Sequence, residues 1–142
     1  MNFSQVRDQI MRHEGFVPHA YQDHLGYWTI GIGRLIDERR GGGISQAEAM
    51  MLLNNDIARV VRALEPIDGF TRAPEPIQQA LVNMGFQLGI GGLLGFRRMW
   101  AAIDHADYET AAREALDSRW AQQTPERAEE IAEIIRRGGS ER

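Results

Sequence analysis

The chain has 142 residues, which fits one domain or two small lobes of one fold, and its 43% hydrophobic and 25% charged content is that of an ordinary globular protein. Cysteine is absent and all 16 basic residues are Arg, which excludes a disulfide framework, a thiol nucleophile, a thiolate metal site and Lys Schiff-base chemistry. A net charge of −4 argues against duplex nucleic acid, whose partners carry a basic excess.

Residues 1–15 carry Arg7, Asp8, Arg12 and Glu14 with no apolar run before them, so no signal peptide is expected. Phe3, Val6, Ile10 and Met11 fall on one helical face, and Gly15 follows as a helix terminator. From His19 to Ile36 the pattern changes. Tyr21, Tyr27, Trp28, Thr29, Ile30 and Ile32 are strand formers, and Asp23-His24-Leu25-Gly26 reads as a turn. Gly41-Gly42-Gly43 then breaks the chain.

Ser45 and Glu48 have the spacing of a capping box, and Met50, Leu53, Ile57, Val60, Val61 and Leu64 line one face of the long helix behind it. Pro66 stops that helix. The uncharged run from Pro76 to Phe96 has the length of a membrane span. Its Gln78, Gln79, Asn83 and Gln87, and then Gly85, Gly89, Gly91, Gly92 and Gly95, predict instead a buried helix followed by a Gly-rich loop, with no stable membrane insertion. Ile77, Leu81, Met84 and Leu88 point inward from it. Phe96, Met99, Trp100 and Ile103 mark a further helix, and Ala112, Ala115 and Leu116 another. Thr124 followed by Pro125 is a cap and first-position signal for a last helix carrying Ala128, Ile131, Ile134 and Ile135 and ended by Gly138-Gly139. The fold expected is α+β and mostly α. It has a small N-terminal β-hairpin or sheet lobe over about 13–45, a linking helix over about 46–64 and a helical C-terminal lobe over about 65–142, on which helix 1–12 packs. A cleft between two unequal lobes is a usual place for a ligand.

Glu14 at a helix end, Asp23 in the turn and Thr29 on the returning strand form the set with chemical potential. Acid/base cleavage of a glycosidic bond needs one carboxyl that holds a proton and one that is ionised. Glu14 is followed by Phe16 and Val17, whose apolar walls disfavour the charged form, while Asp23 lies between Gln22 and His24. That assigns Glu14 as acid and Asp23 as base, with the Thr29 hydroxyl able to hold the water. His13, Glu14, His19, Asp23 and His24 also cluster in sequence, but they lack the His-Glu-x-x-His spacing of a zinc hydrolase, and no metal or other cofactor is expected.

Glu14-Gly15, Ala20 to Asp23 and Gly26 to Gly33 together resemble the signature of glycoside hydrolase family 24, the phage lysozymes or endolysins of the T-even type. Glu14, Asp23 and Thr29 match that family's Glu, Asp and Thr in identity and spacing. Asn83 to Gly89 resembles its central-helix motif, and Ser118 to Ala128 its C-terminal motif. The resemblance covers nearly the whole chain, with the loop around Arg39 to Gly43 shortened.

The resemblance implies a lysozyme-like two-lobed fold. It also implies hydrolysis of the β-1,4 bond between N-acetylmuramic acid and N-acetylglucosamine in peptidoglycan, with inversion. Inversion places the carboxylates roughly 6.5–9.5 Å apart, leaving room for water. Leu35 and Phe86 match positions that contact saccharide, Arg127 matches an Arg near the catalytic Glu, and Arg119 and Gln123 lie in the C-terminal motif as candidate substrate contacts. Arg34 replaces the family's usual His, so its charge does not titrate near neutrality. Two further sugar-contact positions hold Met99 and Glu114 here, and no contact role is carried onto them. The implied partner is a glycan strand, the implied state a monomer, and the implied route accumulation in the host bacterial cytoplasm before holin-dependent release to the wall. A lytic transglycosylase and a non-catalytic peptidoglycan-binding protein are the alternatives; the triad of Glu14, Asp23 and Thr29 favours hydrolysis. Within residues 81–100 the only charges are Arg97 and Arg98, so the local sign beside Phe86 is positive despite the acidic total.

Overall fold

The computed structural model describes residues 2–22, 25, 28–31, 34–35 and 43–140. Met1–Leu52 and Leu53–Arg142 form two compact units, with the boundary inside one helix.

The first unit opens on α1 (Phe3–Glu14). Asn2 caps it, its Oδ1 accepting from the Gln5 N–H at 3.1 Å. Gly15 ends it at φ +72°, a conformation that L side chains rarely adopt, and its N–H bonds the Met11 carbonyl at 2.9 Å. The strand formers then fold into a three-stranded antiparallel sheet of β1 (Val17–Gln22), β2 (Trp28–Gly31) and β3 (Arg34–Leu35), in that order. Val17 pairs with Gly31, Tyr21 with Thr29 and Gln22 with Trp28, with an irregularity between Val17 and Tyr21; Thr29 pairs onward with Leu35, and Ile30 with Arg34. Of the expected turn residues only Leu25 is among the described residues, and it lies in a turn.

The helix α2 (Gln46–Leu64) starts at the expected capping box. The Ser45 hydroxyl accepts from the Glu48 N–H at 3.1 Å, and the Glu48 carboxylate accepts from the Ser45 N–H at 3.0 Å. Val60 and Leu64 are buried, and the helix stops before Pro66, which cannot donate to its ladder.

The second unit continues with α3 (Asp68–Arg72), α4 (Glu75–Leu94), α5 (Arg97–Asp104), α6 (Tyr108–Leu116), α7 (Arg119–Gln123) and α8 (Pro125–Gly138). Its core holds Leu64, Ile77, Leu81, Met84, Leu93, Met99 and Ile135, all fully buried. The Trp100 indole N–H donates to the Leu93 carbonyl at 3.0 Å, which satisfies the one polar atom that this ring brings into the core.

The structure corrects or adds to the sequence reading at four points. The Gly-rich stretch after Leu88 is not a loop. Helical hydrogen bonding resumes beyond Gly89 and runs to Leu94, because Gly89 alone absorbs the break, at φ +79° and ψ 159°. The short helices α3 and α7 were not foreseen, since five residues are too few to show a helical period. Thr124 precedes α8, but its side chain makes no cap bond; its hydroxyl donates backward to the Trp120 carbonyl at 3.0 Å. Ile134 is exposed while Ile131 and Ile135 are buried. Among the described residues no helix is long and apolar enough to cross a membrane.

Candidate active site

Helix termination fixes the first candidate. Glu14 is the last residue of α1, and Gly15 turns the chain from it into β1. Thr29 sits on the middle strand, opposite Tyr21 on one side and Leu35 on the other. It is 4% exposed and is the one non-aromatic polar residue that is buried among the described residues. A buried hydroxyl keeps both donor and acceptor capacity, and burial is costly unless that capacity is used. Arg34 and Leu35 form β3, and Arg34 pairs with Ile30. The first unit thus brings Thr29, Arg34 and Leu35 onto neighbouring register positions of one sheet. Asp23 lies outside the described residues, as does His24.

In the second unit, Phe86 and Arg127 belong together. Both line a groove of about 350 Å³ with Leu53, Ile57, Gln79, Val82 and Asn83. Phe86 on α4 is 43% exposed, so an aromatic face is offered to a ligand. Arg127, near the start of α8, reaches across to α4. Its Nε donates to Asn83 Oδ1 at 3.0 Å, its Nη2 donates to the same oxygen, and Nη2 also approaches the Asn83 carbonyl at 3.5 Å. This anchor fixes the fork of a long cation beside Phe86. The sequence motif contained Asn83 without revealing this role, because the pair is separated by 44 positions.

Arg119 and Gln123 lie at the two ends of α7, both exposed, and neither lines that groove. What α7 secures is Trp120. This ring is buried, its N–H donates to Gln87 Oε1 at 2.8 Å, and it meets Phe96 edge-on with centroids 6.0 Å apart. The helix is started by Ser118, whose hydroxyl accepts from the Ala121 N–H at 3.1 Å and donates to the Ala115 carbonyl at 2.8 Å. Met99, one of the two departures at sugar-contact positions, is 1% exposed and belongs to the core. A thioether there fills space rather than meeting solvent.

The phage lysozyme family model matches residues 11–141. The chain is 31% identical to the pre-baseplate central spike protein Gp5 of Enterobacteria phage T4, over 96% of this chain and 28% of that protein. It is 25% identical to probable T4-type lysozyme 1 of Dictyostelium discoideum, over 95% of each. It is 28% identical to the peptidoglycan hydrolase gp36 of Pseudomonas phage phiKMV, over 87% of this chain and 14% of that protein. The chain therefore spans only a fraction of the two phage proteins and nearly all of the Dictyostelium one.

Proposed function

The chain belongs to the phage lysozyme family, a family of hydrolases, and on that premise we propose that it is a muramidase. It hydrolyses the β-1,4 bond between N-acetylmuramic acid and N-acetylglucosamine with inversion. Glu14 protonates the leaving oxygen, and Asp23 takes the proton of a water that the Thr29 hydroxyl holds on the opposite face of the sugar. Leu35 and Phe86 supply apolar contact to sugar faces, Arg127 supports the acid, and Arg119 and Gln123 contact substrate.

The observation that carries this reading is Thr29. Among the described residues Thr29 is the one non-aromatic polar side chain that is buried, and it lies on the strand next to the one that Glu14 leads into. Glu14, Asp23 and Thr29 also keep the identities and spacing of the family's triad.

Digestion of purified peptidoglycan with analysis of the products tests it. Reducing muropeptides that end in N-acetylmuramic acid with the inverted anomer are expected. Anhydro-sugar ends would mean a transglycosylase without a hydrolytic water, and binding without soluble products would mean a wall-binding protein.

A further inference from the structure

The last turn of α4 is weakly built, and the weakness lies between two fixed points. Gly89 interrupts the helix at φ +79° and ψ 159°, which leaves residues 90–94 as a single turn, too short to hold itself together. Gly95 closes that turn, its N–H reaching the Gly91 and Gly92 carbonyls at 3.2 Å each. At Gly91 an added Cβ meets nothing within 4 Å and the backbone is helical, so neither space nor conformation calls for glycine. Its effect there is to lower the closing equilibrium of the turn roughly fivefold relative to alanine. Leu93 is the latch. It is fully buried, and its carbonyl accepts from the Trp100 indole N–H at 3.0 Å and from the Phe96 N–H at 3.2 Å. Ile90 is half-buried, while Gly91, Gly92 and Leu94 are exposed. A segment with so few buried contacts opens at low cost. Its ends are fixed by one ring: Trp120 donates to Gln87 Oε1 at 2.8 Å and meets Phe96 edge-on. Opening is thereby bounded to residues 88–95.

The place of this turn gives its opening a consequence. Gly92, Gly95 and Phe96 wall a groove of about 520 Å³ that also holds Met99 and Glu114, positions of sugar contact in the family that the sequence resembles. Charged side chains from α5 and the end of α6 line it as well, Arg97 and Arg98 with Glu114 and Asp117. Leu93 and Ile90 also close on the turn that carries Phe86, since a Cβ built at Gly85 would lie 3.2 Å from Leu93 Cδ2 and 3.8 Å from Ile90 Cδ1. The wall of one groove and the backing of Phe86 in another thus rest on one marginal turn. Resting on the muramidase reading, we propose that residues 88–95 are a strap that opens by local unfolding and that a bound glycan strand holds shut. The strand touches the closed wall and loses that contact when the strap opens, so binding draws the equilibrium toward the closed form.

Amide hydrogen exchange on the full chain tests the strap. The amides of Gly95 and Phe96 are expected to exchange at least about 100-fold faster than those of the buried Ala132 and Ile135 in α8, at a rate that mild urea leaves unchanged. Gly91→Ala is expected to slow them about fivefold. Exchange at the α8 rate with the α8 urea dependence would mean that the turn opens only with the whole unit, and overturns the strap. Soluble uncross-linked peptidoglycan strands are then added to Glu14→Gln protein, so that they stay uncleaved. They are expected to slow Gly95 and Phe96 about tenfold and to leave the amide of Ser140, at the end of α8, unaffected. Leu93→Ala removes the latch and populates the open form. Its KM for strands is expected to rise about threefold or more with kcat within about twofold, because a bound strand restores the wall. Ile90→Ala should shift KM in the same direction by less, and serves if Leu93→Ala does not fold. A fall in kcat with KM unchanged overturns the coupling. If the wild type cleaves strands and their presence leaves Gly95 and Phe96 unchanged, the strap reading fails and the muramidase reading stands. If it cleaves none, the muramidase reading fails, and exchange in the free chain still decides whether the strap opens.

Discussion

Arg127 of α8 is held by Asn83 of α4, with Nε 3.0 Å from Oδ1 and Nη2 on the same oxygen. The bond joins two of the three sequence motifs and sits in the groove that Phe86 lines. It does so at an exposed position, so its contribution to stability is small.

Removing either partner should therefore separate stability from activity. Asn83→Ala and Arg127→Ala are each expected to cost no more than about 1 kcal/mol in urea unfolding, and a double-mutant cycle should give a coupling of about 0.2–1 kcal/mol. Both should lower peptidoglycan turnover, Arg127→Ala more, because Asn83→Ala leaves the cation in place and frees its orientation. Full turnover in Arg127→Ala would remove Arg127 from the site.

Glu14→Gln is expected to lower turnover by about 10²–10⁴-fold, the range of a general acid, with a melting temperature similar to or above that of the wild type. Thr29→Val keeps the branched shape that suits a strand and deletes only the hydroxyl. If that hydroxyl holds the attacking water, turnover falls at least about tenfold, while the stability change stays near the ~1 kcal/mol of a lost hydrogen bond. A large stability loss with turnover unchanged per folded molecule would make Thr29 a structural residue.

The legible parts of the fold were those with local physical signatures. The Ser45 and Glu48 spacing foretold both reciprocal bonds of the capping box, and Gly15 foretold the end of α1 just after Glu14. Periodicity found the buried faces of α4 and α5. Illegible were features decided by distant partners. Nothing near Trp120 in sequence says that its indole meets Gln87, 33 positions away. Thr29 was legible as a candidate through its spacing from Glu14, whereas nothing in its local sequence tells that it is buried while its neighbour Ile30 on the same strand is exposed. The groove of Arg97, Arg98, Glu114 and Asp117 was half visible as a basic pair, but its acidic wall comes from another helix.

Asp107 gives a pH dependence. It caps α6, with Oδ1 accepting from the Thr110 N–H at 3.1 Å. Hydrogen bonds from the Thr110 side chain and then its backbone hold the carboxyl below the usual range, helped by the charges of Arg113 and His105. A depressed carboxyl contributes stability that is complete above its unfolded value, about 3.9, and is lost as the pH falls through the lower folded value. Asp107→Asn retains a cap but loses the charge. Its melting temperature should lie below that of the wild type at pH 7, and the gap should close as the pH drops below about 4. A gap independent of pH would assign the effect to shape alone.

Two neighbouring glycines of α4 should respond in opposite directions to the same substitution. At Gly89 an added Cβ meets nothing within 4 Å, so sterics with the rest of the molecule predict no cost. The backbone predicts otherwise, since φ +79° with ψ 159° belongs to a region nearly exclusive to glycine and costs another residue about 1–3 kcal/mol. At Gly91 a Cβ also meets nothing within 4 Å, but the conformation there is helical. Alanine at that position gains the roughly 0.8–1.0 kcal/mol by which it exceeds glycine in a helix interior. Urea unfolding should thus show Gly89→Ala destabilised and Gly91→Ala stabilised, two residues apart in equally open space. The break in α4 is then set by one backbone conformation, and the rest of the Gly-rich stretch is helix held at reduced stability. If Gly89→Ala is neutral, the kink straightens at no cost, and the path of α4 beyond Phe86 follows from the packing of Leu93 instead.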